Sequence, residues 1–87
     1  MNQLMVVYSV FDSAVGTYMR PFTMQADGQA LRSFTELAED KEHDIGRHPE
    51  DYSLFRCGVF DVEKGSLHSE EPRCIARAHE LVAVRSI

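Results

Sequence analysis

Asp27 to Asp40 reads DGQALRSFTELAED, and this stretch decides the fold. Ala30, Leu31, Phe34, Leu37 and Ala38 recur at the spacing of one apolar helical stripe. Asp27 stands where a helix needs a capping side chain, since its carboxylate can accept from the orphan N–H groups of the first turn. Arg32, Ser33, Glu36, Glu39 and Asp40 would occupy the outer face. The acidic run Glu39, Asp40, Glu42, Asp44 suits a helix C-terminus badly, because the dipole favours cations there, so the helix should end near Asp40 or Lys41.

On the N-terminal side, Gln3 to Phe11 (QLMVVYSVF) is rich in β-branched and aromatic residues and reads as a buried strand. Asp12 to Gly16 follows as a turn, and Thr17 to Met24 as a second strand. Pro21 removes a backbone donor from it, which implies a sheet edge or a break. On the C-terminal side, His43 to Asp51 (HDIGRHPED) reads as a polar loop punctuated by Gly46 and Pro49. Tyr52 to Phe60 (YSLFRCGVF) is apolar on both faces and so reads as a central strand. Asp61 to Gly65 is a second turn. Residues 66–70 begin a fourth strand, Pro72 interrupts it, and Arg73 to Val84 continues as a strand or a short amphipathic helix. Val10-Phe11-Asp12-x-x-x-Gly16 returns as Val59-Phe60-Asp61-x-x-x-Gly65, which predicts two hairpins with one turn chemistry and not a repeat protein. The expectation is an α+β fold, a small antiparallel sheet of about four strands with one main helix packed on one face, in a single domain spanning 1–87.

Composition narrows the function classes. Hydrophobic residues make up 44% and charged residues 26%, a globular profile. A domain this small has much surface for its volume, so a homodimer or higher oligomer is expected. No apolar run approaches the ~18 residues that span a bilayer, and no leader pattern marks secretion, so no membrane partner and a cytoplasmic location are expected. Cys57 and Cys74 have neither CxxC spacing nor a nearby histidine, and read as two reduced thiols packed as small hydrophobes.

No nucleophile elbow, phosphate-binding loop or dinucleotide fingerprint is present, and His43, His48, His68 and His79 have no triad partners in the pattern. Enzymatic activity, a cofactor and a metal are therefore not expected; Glu50 and Asp51 read as a loop that caps itself. Net charge is −5, with nine basic residues against 14 acidic ones, which argues against broad wrapping of a phosphate backbone. A local contact stays open, because seven of the nine basic residues are arginine. The stretch Arg73 to Arg85 has three arginines against one acidic residue, Glu80. Strand or helix, it would keep Arg73 and Arg77 on one face. The candidate nucleic-acid-binding surface is therefore Arg56, Arg73 and Arg77, with Arg20 and Arg32 as outlying contacts and one or more of Tyr8, Tyr18 and Tyr52 stacking on bases.

The ordered set Tyr8-Ser9-Val10-Phe11-Asp12, Pro21-Phe22, Ala30-Leu31-Arg32-Ser33-Phe34, His48-Pro49-Glu50-Asp51-Tyr52-x-Leu54, Gly58-Val59-Phe60-Asp61, Gly65 and Pro72 resembles the small nonstructural protein of the gokushoviruses. These are microvirus bacteriophages with small circular single-stranded DNA genomes. The resemblance implies a non-capsid DNA-binding or DNA-synthesis accessory, made in the host cytoplasm and acting in the switch to single-strand synthesis and packaging. Its partners would be single-stranded DNA and phage or host replication and packaging proteins. The alternative is an adaptor that docks on a replication factor without touching DNA.

Overall fold

The computed structural model describes the backbone of residues 3–85 and the side chains of residues 3–82. Five strands form one curled antiparallel sheet: β1 (Leu4–Asp12), β2 (Thr17–Tyr18), β3 (Phe22–Met24), β4 (Tyr52–Asp61) and β5 (Ser66–Arg77). The order is β2-β1-β4-β5, with β3 also paired to β1. Three helices accompany it, α1 (Asp27–Glu39), α2 (Asp44–Arg47) and α3 (Ala78–Arg85), with a 3-10 turn at Pro49–Asp51. The fold is α+β, as expected. The second strand breaks at Pro21 into β2 and β3, which both lie at the edge of the sheet beside β1.

The two hairpins close with the same pair of bonds, and Asp61 accepts one more from Lys64 N–H. Gly16 N–H donates to the Asp12 carbonyl at 2.8 Å and Gly65 N–H to the Asp61 carbonyl at 2.7 Å. The Asp12 carboxylate accepts from Ala14 N–H and the Asp61 carboxylate from Glu63 N–H, each at 3.0 Å. Both glycines take a positive φ, 76° and 70°, which side-chain-bearing residues adopt at a cost.

The core gathers Tyr8, Val10 and Leu54 from the sheet, Ala30, Phe34 and Ala38 from α1, Ile45 from α2 and Ala78 from α3. Phe34, the largest residue of the stripe, is 2% exposed, and Leu31 lies at its solvent edge. Burying such a ring contributes about 1.5–3 kcal/mol.

Several expectations are corrected. Asp27 is not the helix cap. Ala26 holds that position without a side-chain bond, and the Asp27 carboxylate turns to the sheet instead. Residues 43–51 are not an open loop but two helical turns that bury Ile45. His43 Nδ1 accepts from Ile45 N–H at 3.1 Å, and Gly46 is so close to α1's end that a Cβ would lie 1.8 Å from the Asp40 carbonyl oxygen. Pro72 does not end β5, which runs past it with an irregularity opposite Cys57. Cys74 is exposed and not packed; Cys57 is half-buried, burial pushes its thiol pKa up, and both thiols are free.

Candidate nucleic-acid interface

In an antiparallel ladder, paired residues share a face and successive residues alternate. The register therefore sorts the candidate residues without further assumption. Tyr8 pairs with Arg56, and Arg56 with Arg73, so these three lie on the face covered by the helices. Phe11 pairs with Tyr18 and with Ser53, and Ser53 pairs with Arg77, so Tyr18, Phe11, Ser53 and Arg77 form one row across four strands of the opposite face. At roughly 4.8 Å per strand, the row spans about 14 Å of backbone.

The predicted cluster of Arg56, Arg73 and Arg77 is thus divided. The register slips between Leu54 and Phe55, where Ile75 is the extra residue of β5. Such a bulge reverses the alternation, so Arg73 and Arg77 point to opposite faces and do not share one. On the covered face Arg56 is held between two carboxylates, and Arg73 keeps a longer, solvated pair with one of them. Tyr8 Oη donates to Asp27 Oδ1 at 2.6 Å. Arg56 reaches the same oxygen at 3.5 Å and Glu70 at 3.1 Å, and Arg73 approaches Asp27 at 3.9 Å. Glu70 raises the Arg56 pKa further, and the Arg56 side chain is 23% exposed. This network ties the first turn of α1 to β1, β4 and β5.

The three tyrosines separate in the same way. Tyr8 is 0% exposed, and burial followed by its bond to Asp27 pushes its pKa up, so it has no surface for a base. Tyr52 pairs with Asp12 on the covered face, packs against the core, and has its pKa raised by burial and by Asp12. Tyr18 alone of the three stands on the open face, 46% exposed. It meets Phe11 and Phe55 at ring-centroid distances of 4.8 and 5.4 Å, and Phe11 meets Phe55 at 6.3 Å. Phe11 and Phe55 were absent from the sequence-derived set. The signal for Phe55 was that the Tyr52–Phe60 strand, now β4, is apolar on both faces, which requires a second apolar surface; Phe11 joins it from β1.

Met5, Val7, Phe11, Phe55 and Phe60 remain half-buried and outside the core cluster. The open face therefore presents aromatic rings to solvent, with Arg77 at one end. Arg77 is 58% exposed, and Glu80, 3.6 Å away, is equally solvated, a pairing of little strength. Arg20 is exposed in the segment between β2 and β3, while Arg32 is exposed on the far side of α1. The side chain of Arg85 lies outside the described residues.

Charge is segregated between the layers. Residues 27–51 hold eight acidic side chains against three basic ones, and the rest of the chain six against six, so the net −5 belongs wholly to the α1-to-3-10 segment. His48, Glu50 and Asp51 can bring one ligand atom each within 4.8 Å of one another, at an exposed position. Among the described residues no helix is long and apolar enough to cross a membrane.

The model of the family described as Phage ORF5 protein matches residues 5–81. The chain belongs to that phage family. No curated protein and no solved structure matches it. The match on this Phage ORF5 family protein runs from β1 into α3 and so takes in both faces of the sheet.

Proposed function

We propose that this phage-family protein is a gokushovirus accessory that binds single-stranded DNA on the open sheet face. In this reading Tyr18, Phe11 and Phe55 stack on bases and Arg77 pairs with a phosphate. The observation that carries it is the aromatic row ending in Arg77 on a face whose layer has no net charge. Base–aromatic stacking is worth about 1–3 kcal/mol per base and tolerates any sequence, which suits a protein that coats a genome strand. The acidic layer lies behind the sheet, so a net −5 no longer argues against a polyanion on the other side. Action in the host cytoplasm during single-strand synthesis and packaging, as a homodimer and without catalysis, belongs to the same reading.

The segregated charge also favours a second reading, an adaptor whose acidic helical layer docks on a basic replication protein without DNA contact. Salt-dependent retention on single-stranded DNA separates the two. Phosphate contacts release counterions, so log affinity should fall with log salt at a slope of about −0.7 per contact. An adaptor would give no retention and no slope.

A further inference from the structure

The open face continues past the aromatic row to a second feature. A pocket is lined by Val7, Pro21, Phe22, Thr23, Phe60 and Leu67. Register places Val7 opposite Thr23, and Phe60 opposite Leu67, all on the face that carries Phe11. Val7 is four residues from Phe11 on β1, about 14 Å along the strand. Gly58, paired with Val7, contributes no side chain there. Leu67 forms the outer rim at 67% exposure.

We infer that this pocket is a thymine subsite on the single-stranded DNA path, which rests on the reading of the open face as the DNA interface. Phe22 pairs with Tyr8 and turns its ring to the covered face. The side chains of the pocket are those of Val7, Pro21, Thr23, Phe60 and Leu67, carbon except for the Thr23 hydroxyl, so the pocket cannot read the hydrogen-bonding edge of a base. It rewards only what is apolar, a ring face and a methyl group. Thymine is the one DNA base that carries a methyl group, at C5, which proteins recognise by apolar contact. A purine, with N7 at the corresponding edge, would lose water without gaining a partner, and cytosine lacks the methyl. The pocket lies on the same face as the stacking row, with Ser9, bonded to the Met19 carbonyl, between them on β1 and Phe55 beside it on β4.

The test uses the whole chain and two oligonucleotides of equal length, about 12 residues, one of deoxythymidine and one of deoxyuridine, which differ only in that methyl. Fluorescence anisotropy at fixed salt should give tighter binding to thymidine by about fourfold per seated base, the equivalent of one buried methyl. Leu67→Ser, at an exposed rim position, should bring the ratio towards one without flattening the salt dependence. Equal affinities in the wild type overturn the subsite and leave the aromatic interface standing. Absence of binding to both overturns the DNA reading together with the subsite. A change in sedimenting mass for Leu67→Ser, with the ratio unchanged, assigns the pocket to a second copy of the chain and overturns the proposal.

Discussion

Tyr8 and Tyr18 are chemically the same residue, borne by neighbouring strands, and the sheet puts them to opposite uses. On the covered face Tyr8 is buried under α1, its hydroxyl given to Asp27, with Arg56 and Arg73 gathered around the same carboxylate. On the open face Tyr18 touches Phe11 and Phe55 and keeps much of its ring in solvent, with Arg77 in the same cross-strand row. The lesson is that arginine and tyrosine counts say little about binding until each has been assigned a face. The covered set fastens a helix to a sheet. The open set is free to meet a ligand.

Substitutions that act on one face only should break this comparison if it is wrong. The largest expected effect lies beneath the helices. Phe34→Ala should cost about 3–5 kcal/mol in urea unfolding, because a fully buried ring leaves a cavity that α1 cannot close. A cost below ~1 kcal/mol would mean that α1 does not seal the core. Next comes Tyr18→Ala on the open face. It should weaken single-stranded DNA binding by about 1–3 kcal/mol in a titration, with the unfolding midpoint little changed. Loss of stability without loss of affinity would make Tyr18 a packing residue.

Tyr8→Phe should do the reverse, costing about 1–2 kcal/mol of stability by removing a hydrogen bond to a carboxylate and leaving DNA affinity intact. It also carries a pH signature. Burial and the Asp27 bond raise the Tyr8 pKa, and burial with Asp12 raises that of Tyr52. The native state then holds these protons longer than the unfolded chain does, so stability is full below about pH 10 and falls as pH rises beyond it. Thermal melts of Tyr8→Phe should show a shallower alkaline fall, with the part due to Tyr52 remaining. The smallest and most discriminating effect compares two arginines. Arg77→Ala should reduce the salt slope by about 0.7, one phosphate contact, whereas Arg73→Ala should leave it unchanged. Equal losses from both would restore the single arginine patch that the bulge at Ile75 divides.

Much of the fold was legible because it rests on local chemistry. The apolar stripe from Ala30 to Ala38 predicts α1 and its buried side, and the two Asp-to-Gly turns close their hairpins with the same bonds. Pro21 marks a break that appears as the gap between β2 and β3. What the pattern misread lies where tertiary contact overrides propensity. Asp27 has the chemistry of a cap, but a tyrosine hydroxyl and a guanidinium across the sheet compete for its carboxylate. Residues 43–51 look polar and loop-like, yet Ile45 is needed to close the core and Gly46 lets the chain pass against α1.

The candidate site follows the same division. The sequence by itself determined the strands, the principal helix, the hairpin turns and the stock of arginine and aromatic side chains, since each depends on residues close along the chain. Only the tertiary structure decided which of those side chains meet. A single extra residue in β5 is invisible to periodicity, because its effect depends on pairing with β4, and that one residue sends Arg73 to Asp27 and Arg77 to the aromatic row.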